Sequence, residues 1–199
     1  MNEARAPRAV GEKKLAILQT IAEMLERPAA EKVTTALLAR QMNVSEAALY
    51  RHFASKAQMY EGLIEFIESG VFGVIGQIET AEESGLKQAE AIVASLLRFA
   101  QKNRGLTRVL VGDALVHENP RLQARINQLL DRLEATLKQC LKVAVAQGAL
   151  GALGEAHDCG AHANLLVCYT LGRWQRFVKS GFKEDPLAQW PAQWPLLAR

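Results

Sequence analysis

The stretch TTALLARQMNVSEAALYRHFASK, Thr34–Lys56, decides how the rest of the chain is read. Thr34 or Thr35 can cap a short helix in which Leu38, Ala39 and Met42 face inward, since a threonine oxygen accepts from the unpaired amides of a first turn. Asn43 stands where a tight turn needs a left-handed residue, a position asparagine takes when glycine is absent. Ser45 caps the next helix, expected to end near Phe53, and Val44 and Leu49 are expected to fill the wedge between the two. Two helices of about eight residues joined by such a turn form a helix-turn-helix.

In that motif the second helix inserts its N-terminal side chains into the major groove of DNA. Ser45, Glu46, Ala47 and Ala48 are short, which lets the backbone approach the base edges. Tyr50 and His52 are placed to donate to phosphates, and Arg51 to reach a base or a phosphate. Thr34, Thr35 and Lys56, each at a helix start, add candidate phosphate contacts. The same spacing also fits a plain helical hairpin with a solvated arginine and a packed tyrosine.

Outward from this stretch the periodicity is helical throughout. Leu18, Ile21, Ala22 and Leu25 predict a first helix over 11–27. Ser55-Lys56-Ala57-Gln58 reads as a capping box opening a fourth. Further helices are expected over 86–103, 106–116, 120–147 (opened by Asn119-Pro120) and 156–179. Glycines 148, 151 and 154 predict a mobile loop, and the tail EDPLAQWPAQWPLLAR short helical pieces packed by Trp190 and Trp194. No run has strand periodicity. The fold class is all-α: a three-helix DNA-binding head over 1–56 with a helix-turn-helix, and a larger helical dimerisation and partner-binding body over 57–199.

Charge follows the same division. Residues 1–56 hold nine Lys/Arg against six acids, whereas the other 143 residues balance fifteen against fifteen, so the whole net charge of +3 lies in the head. That bias points weakly to nucleic acid. No apolar run approaches the ~20 residues of a membrane helix, and the N-terminus has no apolar signal core, so a cytoplasmic location is expected. Three cysteines, an odd count without framework spacing, agree with a reducing compartment.

VSEAALYRHFASK (44–56) resembles the signature of TetR-type DNA-binding heads. Beyond the head, LIEFIE (63–68), GLTRVLVGDAL (105–115), RLQARINQLLDRLEATLKQ (121–139), RFVKSGFK (176–183) and WPLL (194–197) resemble the nucleoid occlusion factors of γ-proteobacteria. The resemblance implies a homodimer on palindromic double-stranded DNA sites that, while bound, antagonises polymerisation of the tubulin-like division protein FtsZ. It implies no enzymatic activity, no cofactor and no small-molecule ligand. A ligand-responsive repressor of the same fold is the alternative.

Leu165, Val167, Cys168, Leu171, Trp174 and Phe177 cover more than one face of their helix, which therefore needs two partners, one in its own body and one across a two-fold axis. Arg98, Lys102, Arg104 and Arg108, with Asn103 among them, predict a basic stripe. With Phe66 as an apolar seat, it is the candidate docking surface for an acidic FtsZ tail, or else a solvated face balancing Glu65 and Glu68. His157-x-Cys159-x-x-His162 offers three metal-ligand types but no fourth, and no metal or catalytic site is assigned.

Overall fold

The computed structural model describes residues 7–27, 33–150 and 157–198, with side chains from Gly11 onward. The head consists of α1 (Pro7–Leu25), α2 (Thr35–Gln41) and α3 (Glu46–Tyr50). Ile17, Ile21 and Leu25 of α1 point inward with Leu38, Ala39, Leu49 and Phe53 to make its core. Between α2 and α3, Asn43 takes φ 53°. The amides of Asn43 and Val44 then return to the carbonyls of Arg40 (3.1 Å) and Ala39 (2.9 Å), a paired C-terminal stop that turns the chain sharply.

That geometry corrects one expectation. Val44 is 42% exposed and does not fill the wedge, because the turn aims its side chain outward, whereas Leu49 is 1% exposed and does fill it. Helix α3 is also shorter than predicted. Regular helix ends at Tyr50, and His52 and Phe53 continue only as a turn closed on the Leu49 carbonyl.

Helix α4 (Lys56–Ala81) runs from the head into the body, so the division placed after residue 56 coincides with a helix start and not with a linker. The body adds α5 (Gly85–Lys102), α6 (Arg104–Leu110), a single 3-10 turn (Asp113–Leu115), α7 (Pro120–Ala146), α8 (Cys159–Lys179) and α9 (Trp190–Leu197). No strand occurs among the described residues. The helix expected over 106–116 is broken because Gly112 takes φ 77°, a conformation costly to other residues. The expected loop glycines Gly151 and Gly154 lie outside the described residues, and α8 begins at Cys159 rather than 156.

Helices α5, α7 and α8 form the centre of the body. Ile92, Val93, Leu96, Leu97, Ile126, Leu133, Leu137 and Leu166 pack there, and Trp174 donates from Nε1 to the Leu96 carbonyl at 3.0 Å. On α8, Val167, Trp174 and Phe177 are buried within the chain, while Leu165 (51% exposed) and Cys168 face out. The two-sided apolar character of this helix is thus divided between its own core and an outer face.

Head and body meet at two further points. Gly105 of α6 lies so close to α1 that a Cβ there would sit 2.0 Å from the Ala22 carbonyl oxygen. Next to it, Arg108 donates to the Leu25 carbonyl at 3.2 Å and to Asp113 at 2.7 Å. Lys179 also donates to Asp113, at 3.2 Å. Burial alone would raise the Asp113 carboxyl, but the hydrogen bonds and charges of Arg108 and Lys179 outweigh it and hold it below its usual range. A depressed folded-state pKa contributes stability above the unfolded value, lost as pH falls through the folded one. Asp113→Asn is therefore expected to lose about 1–3 kcal/mol at pH 7. Its deficit against the parent should shrink below pH ~4. Thermal melts of both proteins from pH 7 to pH 3 measure this.

Candidate nucleic-acid interface

Three caps set out the proposed DNA-facing edge. Thr34 Oγ1 accepts from the Leu37 amide, Ser45 Oγ from Ala48, and the Ser55 side chain from Gln58, each at 3.2 Å. In each case the oxygen accepts, so the hydroxyl proton stays free to donate outward. Gln58 reaches back to the Ala54 amide at 2.9 Å, closing a capping box displaced by one residue. Thr35 donates to Glu46 at 2.6 Å and so ties the starts of α2 and α3 together.

Ser45, Glu46, Ala47, Tyr50 and Arg51 are exposed on one edge of the head, with Tyr50 at 44%. Ala48 is half-buried and backs onto a shallow groove shared with Lys13, Met42 and His52. The His52 Nδ1 is buried and makes no hydrogen bond among the described residues, which leaves Nε2 as the nitrogen that could reach a phosphate. Lys56 stands at the same edge, but its Nζ donates to Glu118 of the body at 2.5 Å. Of the ten candidate residues, Thr35 and Glu46 are bonded to each other and Lys56 to Glu118 of the body. Sequence reasoning passed over Lys14, whose ammonium lies 5.5 Å from the Phe53 ring centroid. Its helical spacing alone gave no signal.

The proposed partner surface is less unified. Phe66 is 47% exposed and lines a cavity of about 390 Å³ between α1, α4 and α6 together with Asn103, Leu15, Leu18 and Leu106. Arg98, Lys102 and Arg104 are exposed where α5 ends and α6 begins but do not line that cavity, and the Arg104 guanidinium lies 5.9 Å from the Phe182 ring centroid. Arg108 does not belong to this stripe, since Leu25 and Asp113 hold it half-buried. Glu68 does not balance the stripe either, because Arg125 clamps it with two hydrogen bonds at 2.6 and 3.2 Å.

His157 and His162 are joined by a 2.8 Å hydrogen bond, and His162 Nε2 lies 2.6 Å from the Leu197 carbonyl. A carbonyl only accepts, so His162 donates from Nε2 and accepts at Nδ1 from His157. The pair fastens α9 to the start of α8. Burial, offset in part by the bond to Leu197, keeps the His162 pKa below the ordinary histidine value.

A helix-turn-helix on an all-helical body, with α4 shared between them, defines a TetR-type regulator. Residues 17–63 match the family described as bacterial regulatory proteins, tetR family. Residues 83–199 match the SlmA-like family described as tetracyclin repressor-like, C-terminal domain. The chain belongs to the SlmA family of nucleoid occlusion factors. It is 47% identical over 184 residues to the nucleoid occlusion factor SlmA of Marinomonas sp. (strain MWYL1), covering 92% of this chain and 91% of that one. It is 46% identical to SlmA of Vibrio cholerae, covering 92% of each. Among solved structures, a FadR regulator from Bacillus subtilis in complex with stearoyl-CoA superposes with a TM-score of 0.74 at 16% identity, covering 92% of this chain and 97% of that one. That likeness is one of fold.

Proposed function

We propose that the protein is a nucleoid occlusion factor. As a homodimer it binds palindromic sites dispersed over the chromosome through its two heads. While bound, it antagonises FtsZ assembly, so that no septum forms over the nucleoid. One observation carries the reading: identity of 46–47% to these relatives extends over nine-tenths of both chains, body included. The FadR regulator shares the fold over the same length at only 16% identity. A shared fold leaves function open, whereas shared residues in the partner-facing half narrow it.

The heads supply the DNA contacts, with α3 in the major groove and Thr34, Tyr50 and Arg51 on the flanking backbone. The outer face of α8, with Leu165 and Cys168, supports pairing across a two-fold axis. Two recognition helices then lie about one DNA turn (~34 Å) apart and read a palindrome. Arg98, Lys102 and Arg104 suit an acidic tail. Glu23 and Glu26 beside the Phe66 cavity turn its carboxylates towards that stripe while Phe66 seats an apolar side chain.

The test is sedimentation of FtsZ polymer with the protein bound to duplexes taken from its own chromosomal sites. Polymer should fall only when protein and DNA are both present. Failure to reduce it, together with a single site beside a promoter and release of DNA by a hydrophobic effector, would make the protein a ligand-responsive repressor. Lys102→Glu should leave DNA binding nearly unchanged and weaken the FtsZ effect by about 1 kcal/mol or less, as expected for an exposed pair. Phe66→Ala should act in the same direction. If both variants antagonise polymerisation as well as the parent, the docking surface lies elsewhere.

A further inference from the structure

Lys56 is the first residue of α4 and is expected at a DNA phosphate, yet its ammonium is bonded to Glu118, a residue 62 positions away in the body. The Glu118 side chain is 10% exposed and that of Lys56 22%, so the pair is shielded well beyond a surface ion pair. Glu118 is also held in place. Its amide donates to the Leu115 carbonyl at 2.9 Å, His117 before it takes φ 68°, and Asn119 after it caps α7.

A DNA phosphate approaching the start of α4 therefore meets a lysine whose charge is already balanced. Either Lys56 leaves Glu118, uncovering a nearly buried carboxylate, or it bridges the two anions and brings like charges together. In both cases the lysine delivers less than one full phosphate neutralisation. We infer that Glu118 is a positioning residue for DNA binding, a carboxylate of the body that competes with DNA for Lys56 and so limits the affinity of the head. This rests on the reading that the head binds DNA with Lys56 at its edge. It also means that any displacement of the connection between the 3-10 turn and α7 is felt at the DNA.

The experiment is a titration of one palindromic duplex at several salt concentrations, using the full-length protein and its variants Glu118→Gln, Lys56→Gln and the double variant. Glutamine keeps the shape and still accepts a hydrogen bond, but releases the charge. Glu118→Gln should bind about 3- to 10-fold more tightly at low salt. Its log–log salt slope should steepen by up to ~0.9 per head, ~1.8 per dimer. In the Lys56→Gln background the same change should have no such effect, because there is no lysine to release.

Tightening that survives without Lys56 would overturn the proposal in favour of a diffuse field effect. Unchanged or weaker binding by Glu118→Gln, with the parent still binding, would overturn it while leaving the head assignment standing. If neither the parent nor any variant binds duplex DNA, the head assignment itself fails. Should Glu118→Gln melt early, Glu118→Ser, which also removes the charge, must show the same Lys56-dependent slope change below its melting temperature.

Discussion

Gly105→Ala is expected to melt about 6–12 °C below the parent protein and to bind DNA poorly even where it remains folded. The cause is steric. A Cβ at this position would lie 2.0 Å from the Ala22 carbonyl oxygen and 2.9 Å from the carbonyl carbon, both backbone atoms of α1 that cannot rotate aside. Helix α6 must move off α1, and the Arg108 bond to Leu25 at 3.2 Å stretches with it. Strain of this kind in a packed contact costs about 3 kcal/mol, and each kcal/mol shifts the melting temperature of a protein of this size by about 2–4 °C. Gly70→Ala is the control, because nothing lies within 4 Å of its would-be Cβ. There alanine should stabilise α4 by about 0.5–1 kcal/mol through helix propensity alone. Equal melting of the two variants would contradict the close approach of α6 to α1.

Ala47→Trp should do the opposite, leaving the fold intact and removing DNA binding. Ala47 is exposed in the first turn of α3, so an indole there meets no core and the melting temperature should move by less than about 1 kcal/mol's worth. In a groove-docked helix the same indole would hold the backbone away from the base edges. Losing about 2 kcal/mol of base contacts at each of two heads gives about 4 kcal/mol, roughly a thousandfold in affinity. Fluorescence polarisation with a palindromic duplex measures it. Affinity within threefold of the parent would mean that α3 is not the reading helix.

The caps were legible because capping is local chemistry. Thr34, Ser45 and Ser55 each bond an amide three residues on, a relation that residue type and spacing already contain. Asn43 was legible for the same reason. Val44 was not, since valine after a left-handed residue looks like core until the turn aims it outward. Arg108 reads as one more cation of a surface stripe, and only the fold brings it to Leu25, 83 positions earlier. Glu118 gave no signal beside His117 and Asn119, because its partner Lys56 lies in another element. Residues that act within one turn show themselves in sequence, and those that join distant segments do not.

Helix α4 has a mechanical consequence that follows from its length. Its 26 residues extend about 39 Å from Lys56, at the edge proposed to face DNA, to Ala81 at the far end of the body. A swing of about 5° about the far end would carry the near end through about 3 Å, close to the 3.4 Å rise between successive bases. In a symmetric pair the two ends swing in opposite senses, so their separation changes by almost two base steps. The helix is a lever arm, and a disturbance too small to reshape the body is long enough at its tip to put a palindrome out of reach.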